Sequence, residues 1–265
     1  MEVYHYHEGS TPLLVSMPHS GTAIPEAIAR TMTESALRVP DTDWHVERLY
    51  DFAPGLGAGV LQAIHSRYVI DLNRPPDDAT LYPGQSNTGL CPTTAFDFSP
   101  LYREGCAPTE EEIARRLEIY WRPYHERLRE ALARIRERHG IAVLYEAHTI
   151  RSQVPRFFEG TLPDLNLGTD DGKSCVSELE RALREILVNI HAFTHVVNGR
   201  FKGGYTTRAY GDPRRDVHAV QLELSQSTYM DEDYPFTYRQ RRAARVRPVL
   251  RHLLEATLEW AQRRI

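Results

Sequence analysis

The feature that most constrains the fold is the direct succession, between Thr109 and His148, of a long amphipathic run and a short apolar one. Thr109 can cap a helix, Glu112 completes a Thr-x-x-Glu capping box, and Gly140 offers the left-handed stop. Pro123 removes an amide hydrogen inside the run, so the helix over Glu110 to Arg138 should kink or split there. Ile141-Ala-Val-Leu-Tyr145 follows at once and is continuously apolar, the pattern of a strand covered on both faces.

The same alternation recurs along the chain. Strands are predicted at Leu13 to Met17, Gly59 to Ile64, Tyr68 to Leu72, Ile141 to Tyr145, His195 to Val197 and Ala219 to Leu224. Helices are predicted at Pro25 to Met32, Trp44 to Phe52, Glu110 to Arg138, Val176 to Ile190 and Tyr238 to Arg264. Strands alternating with helices specify an α/β fold, three layers α/β/α around a mixed, mainly parallel sheet. With no repeat or linker to divide it, residues 1–265 read as one domain. Pro75 to Pro108 and Arg151 to Gly172 are Pro-, Gly-, Asp- and Asn-rich, and loops of that length are commonly functional. Each follows a strand end, so both should wall a pocket at the carboxyl ends of the strands.

Composition excludes several classes. No apolar stretch approaches the roughly 20 residues that span a bilayer, and Met1 to Glu8 lacks the basic and apolar regions of a secretory signal. The formal net charge of -4 gives no general attraction to nucleic acid. Cys91, Cys106 and Cys175 form an odd set without CxxC spacing, which fits a reducing cytoplasm better than a disulfide framework. No Gly-x-Ser-x-Gly, Walker or Gly-x-Gly-x-x-Gly motif occurs, so the usual support for serine hydrolase, nucleotide and dinucleotide chemistry is missing.

What remains is a set of polar residues at strand ends. His19 follows the first strand, with Gly21 permitting a tight turn, and can present a ring nitrogen to a metal. Asp41-Thr-Asp-Trp-His45 opens a predicted helix. One aspartate suffices as a cap, and the other could ligate a metal: Asp43 by choice, Asp41 in reserve, His45 third. Strand alternation points Glu146 and His148 to one side, so one can bind metal while the other orients a ligand. Glu223 lies between leucines, where burial raises a carboxyl toward a general base's range. Two histidines and one carboxylate leave a zinc position open for water, the arrangement of a catalytic site. Asn73-Arg74, after Tyr68-Val-Ile-Asp-Leu72, could grip a substrate carboxylate bidentately, and Arg208 beyond Gly203-Gly204 could reach a second. His5 and His7 read as surface residues near a mobile terminus.

Ser16-Met-Pro-His-Ser-Gly21, Asp41-Thr-Asp-Trp-His45, Val69-Ile-Asp-Leu-Asn-Arg-Pro75, Ala147-His-Thr-Ile-Arg-Ser152, Phe201-Lys-Gly-Gly-Tyr-Thr-Thr-Arg208 and Gln221-Leu-Glu223 together resemble the N-formylglutamate amidohydrolases, over essentially the whole chain. That family is in turn similar to the zinc carboxypeptidase and aspartoacylase group, which implies a phosphorylase/hydrolase-like, zinc exopeptidase-like fold. The resemblance implies cleavage of N-formyl-L-glutamate to formate and L-glutamate in histidine degradation. It implies zinc on His19, Asp43 and His148, though another divalent transition metal would suit such ligands. Glu223 is the implied base, and Asn73, Arg74, Arg151 and Arg208 the substrate-binding set. Glu146 stands where the family pattern has aspartate, and Ala209 where it has an aromatic or imidazole side chain. The alternatives are hydrolysis of another N-acyl amino acid or of a cell-wall peptide, and a non-catalytic carboxylate-binding module.

Overall fold

The structure, a computed structural model, describes residues 2–80, 84 and 86–265; part of the predicted Pro75 to Pro108 loop therefore lies outside the described residues. Seven strands form one sheet: β1 (Tyr4–His7), β2 (Leu13–Met17), β3 (Gly59–Ala63), β4 (Ala142–Ile150), β5 (Leu165–Gly168), β6 (His195–Val197) and β7 (Val217–Ser225). Their order is β1-β3-β2-β4-β7-β5-β6. Only β1 against β3 and β5 against β7 run antiparallel, so the sheet is mixed and mainly parallel.

Alternation along the central strands feeds two cores. Leu13, Val15, Val143, Tyr145, Val220 and Leu222 meet α5 (Ser177–Asn189) and α7 (Gln240–Gln262) on one face. Leu14, Leu144 and Ala219 meet Tyr124, Leu128 and Leu132 of α4 (Arg122–His139) on the other. The layers are α/β/α. The period-2 exchange of side chains between two covered faces explains why these strands read as continuous apolar runs.

The long helical run begins as α3 (Glu110–Arg116), where the Glu112 amide donates to the Thr109 hydroxyl at 3.3 Å, and ends at Gly140 with φ of 75°. It splits where the proline demanded it: a π turn, Leu117–Trp121, precedes Pro123 in the first turn of α4.

Five expectations need correction. The helix predicted over Pro25 to Met32 shortens to α1 (Glu26–Ala29). Tyr68 to Leu72 is not a strand but a buried turn, held by the Val69 amide on Ser66 O (2.9 Å) and the Asp71 amide on Leu90 O (2.7 Å). An apolar run states that a segment is buried, not that it is extended. The helix predicted from Trp44 shrinks to α2 (Val46–Leu49); its N-cap is His45 at φ of 63°, with no side-chain cap, so neither aspartate is spent on capping. Leu165–Gly168, inside a predicted loop, is a strand too short to show periodicity. His5 and His7 face outward as expected but belong to an edge strand rather than a loose terminus.

Candidate active site

The parallel register of β4 and β7 sets Glu146 beside Gln221 and His148 beside Glu223. All four lie on the α4 side of the sheet, where alternation leaves polar residues beyond the end of the apolar core. β2, the neighbour of β4, ends at Met17 and delivers His19 two residues on. Gly21 lets this turn pass the next strand, because a Cβ there would lie 2.3 Å from the His65 carbonyl oxygen. Asp43 comes in from the segment before α2, with its amide donating to the His19 carbonyl at 3.1 Å.

His19, Asp43 and His148 thus converge, all buried, with one potential ligand atom from each lying within 4.8 Å of the others. Asp43 Oδ2 lies 3.1 Å from His148 Nδ1 and 3.9 Å from His19 Nδ1, and accepts from the Thr149 amide at 3.1 Å. The other nitrogen of each ring faces a second carboxylate: His19 Nε2 is 2.6 Å from Asp71 Oδ1, and His148 Nε2 is 3.3 Å from Glu146 Oε2. The Nδ1 atoms therefore face the shared space, while the outer carboxylates orient the rings. Asp41 and His45 do not join them. Asp41 Oδ2 accepts from Tyr68 Oη and the Phe96 amide, and His45 Nε2 is 2.7 Å from the Phe236 carbonyl.

Charge is unevenly distributed around this trio. Burial would raise the Asp71 carboxyl, but Arg67, at 2.6 Å, together with His19 holds it well below the usual carboxylate range. Asp43, Glu146 and Glu223 surround His148. Burial opposes a charge on its imidazole, yet the hydrogen bonds to Asp43 and Glu146 push its pKa up to about 10. Burial pushes Glu223 up to about 7, with His148 pulling the other way and the Gln221 side chain donating to Oε2 at 3.1 Å. Glu146 Oε1 is buried without a hydrogen-bond partner among the described residues. Three carboxylates around one imidazole fit a cation, and nitrogen and oxygen donors are those of a divalent transition metal.

The cleft over this cluster is walled by both long loops: Ser86, Asn87 and Phe96 from one, and Ile150 and Phe157 from the end of β4 and the other. Arg67, Asn73, Arg74 and Arg200 line it as well. Arg74 lies 4.0 Å from Asp71 Oδ2 and donates to Thr88 Oγ1 at 3.4 Å. Asn73 is placed differently from a freely reaching ligand group. Its Oδ1 accepts from the amide and hydroxyl of Thr206 (2.9 and 2.7 Å), and its Nδ2 is 3.1 Å from His148 Nε2. Thr206 belongs to α6 (Tyr205–Tyr210), a helix that the paired glycines before it disguised as a loop. A Cβ on Gly204 would lie 2.3 Å from Asn73 Nδ2, so glycine is required for that approach.

The pattern of an N-formylglutamate amidohydrolase matches residues 11–230. The chain belongs to that family. It is 52% identical over 263 residues to proteins named N-formylglutamate deformylase in Pseudomonas putida and Pseudomonas aeruginosa, covering 99% of this chain and 98% of each relative. The crystal structure of N-formylglutamate amidohydrolase from Ralstonia eutropha JMP134 superposes with a TM-score of 0.85 at 26% identity, over the full length of both chains. A gene product of Agrobacterium tumefaciens shares the fold, with a TM-score of 0.72 at 18% identity, covering 98% of this chain and 96% of that one. Members of an amidohydrolase family act on amide bonds, and the fold places this chain's polar cluster at the strand ends where such chemistry collects.

Two of the arginines drawn from the family motifs stand away from the cleft lining. Arg151 pairs with Asp233 at 2.9 Å; Arg208 pairs with Asp170 at 2.8 Å and donates to the Gly203 carbonyl. Sequence reasoning missed Asp71, Arg67 and Arg200. Asp71 carried a usable signal, since it is a carboxylate set between Ile70 and Leu72, the environment that singled out Glu223.

Proposed function

We propose that the protein hydrolyses N-formyl-L-glutamate to formate and L-glutamate with the aid of a divalent metal, zinc in the first instance. The observation carrying this is the register that sets the buried carboxyl of Glu223 beside His148, in the cleft that Arg74 lines. The names of the 52% identical relatives supply the substrate. His19, Asp43 and His148 would hold the metal, which supplies Lewis-acid activation of the attacking water and of the formyl carbonyl.

Glu223 accepts the proton from the attacking water, a role suited to a carboxyl raised to about 7, and returns it to the leaving amine. Arg74 holds a substrate carboxylate through its planar fork. Asn73 locks the turn carrying Arg74 against α6. Asp71 and Glu146 keep the two imidazoles in orientation. Histidine degradation in the cytoplasm is the setting this reading implies; among the described residues, no helix is long and apolar enough to cross a membrane.

The test is formate release from N-formyl-L-glutamate, with and without a chelator. Release that stops on chelation and returns with zinc is the expected result. A metal-replete enzyme that releases no formate would overturn the reading.

A further inference from the structure

Asp43 supplies the carboxylate of the buried trio from an irregular turn: the segment before α2 has no side-chain cap, and His45 stands at φ of 63°. Resting on the metal-dependent reading above, we propose that Tyr229 and Gln226 are positioning residues, which act with the Thr149 hydroxyl to hold this turn so that the Asp43 carboxylate meets His148.

The two residues bracket Asp43. Gln226 Nε2 donates to the Thr42 carbonyl at 2.9 Å and Tyr229 Oη to the Trp44 carbonyl at 2.7 Å, one on each side of Asp43 in sequence. Both also reach Thr149 Oγ1, at 3.3 and 2.9 Å. Tyr229 carries a single hydroxyl proton and the Trp44 carbonyl can only accept, so the Thr149 hydroxyl donates to Tyr229 and accepts from Gln226. The Thr149 amide closes the circuit by donating to Asp43 Oδ2 at 3.1 Å. Pairing of β2 with β4 ends at Ser16 and Glu146, so the Asp43 carboxylate takes up an amide that lies beyond the reach of β2. One network therefore spans the turn that carries Asp43 and the strand that carries His148. Gln226, Tyr229 and Thr149 are all buried, where a lost partner leaves a polar group unsatisfied. The same loop adds a further tie, with the Phe236 carbonyl 2.7 Å from His45 Nε2 and the Phe236 ring stacked on Trp44. Neither Tyr229 nor Gln226 is among the residues lining the cleft, so each acts through Asp43.

Tyr229→Phe deletes the shared hydroxyl and keeps the aromatic ring. In the metal-free protein, hydrogen exchange at the Thr149 amide should quicken by about tenfold or more as Asp43 draws away, while the Val143 and Tyr145 amides of the same strand keep their wild-type rates. A merely structural role would quicken all three together through global opening. Zinc affinity, measured by competition with a chromogenic chelator, should fall roughly 10- to 100-fold, and the visible absorption of the cobalt-loaded protein, which reports ligand geometry, should shift. Thr149→Val removes the same link without changing the side chain's shape, and the same results are expected from it if Tyr229→Phe fails to fold. Thr149→Ser keeps both hydroxyl and amide and should stay close to the wild type. A wild type that takes up no zinc would defeat the metal-dependent reading, and the amide rates would still decide what holds Asp43. Thr149 exchange left unchanged by both Tyr229→Phe and Thr149→Val, exchange that quickens equally along β4, or zinc affinity equal to that of a zinc-binding wild type would overturn the proposal.

Discussion

His19 Nε2 and Asp71 Oδ1 are 2.6 Å apart, and Asp71 Oδ2 in turn meets Arg67 Nη2 at the same distance. Since Asp71 is held ionised, it accepts, and the imidazole proton is fixed on Nε2 with Nδ1 turned toward Asp43. A buried arginine thus sets the tautomer of a histidine through the carboxylate that joins them.

Asp71→Asn should loosen that control. A carboxamide can bond His19 in either sense and leaves Arg67 without its buried counter-charge. Zinc affinity, measured by competition with a chromogenic chelator, is expected to fall 10- to 100-fold. Unchanged affinity would show that His19 is oriented by its backbone alone.

Glu223→Gln keeps the shape of the side chain and an oxygen for the Gln221 amide, but it cannot take a proton. A loss of about 10²- to 10⁴-fold in kcat is expected, with zinc content close to wild type. The wild-type base acts ionised, so kcat/KM should climb as pH rises and level off once Glu223 has lost its proton. Its carboxyl stands at about 7, and a cation at His148 would favour the ionised form, so the rise should lie at or below that pH. A kcat/KM that instead falls as pH rises from about 5 to 7 would remove Glu223 from the proton transfer.

Hydrogen bonds from the long helical run hold the turn bearing Arg74. Trp121 Nε1 donates to the Arg74 carbonyl at 3.0 Å, and His125 Nε2 lies 2.8 Å from the Leu72 carbonyl. Burial pushes the His125 pKa down to about 3, so its ring is neutral; with Nε2–H on Leu72 O, Nδ1 accepts from Tyr210 Oη at 2.9 Å. Trp121→Phe removes one of these bonds, worth about 1 kcal/mol, and should raise KM roughly fivefold while kcat and zinc content hold. A fall in kcat with KM unchanged would separate this anchor from substrate binding.

Much of this arrangement was legible along the chain. Thr109, Glu112, Gly140 and Pro123 announce the helix, its split and its end through bonds made within a few residues. The covered strands β2, β4 and β7 announce themselves because burial on both faces leaves few polar positions, and those that remain, His19, Glu146, His148 and Glu223, stand out. The Tyr68 to Leu72 turn and α6 were not legible. Their shapes depend on partners far away in sequence: Leu90 for the Asp71 amide, and Asn73 for the first turn of α6.

The sequence by itself determined the alternation of helix and strand, the sheet-end placement of the polar residues and the set from which the site is drawn. Local hydrogen bonding and the period of burial are written into neighbouring residues. Only the tertiary structure decided where each member of these pairs stands. It turned Asp43 rather than Asp41 to the histidines, brought Asp71 and Arg67 behind His19, and put Arg200 rather than Arg208 on the cleft wall. Those choices depend on strand register and loop crossings that juxtapose residues tens to more than a hundred positions apart, and no local pattern encodes such distances.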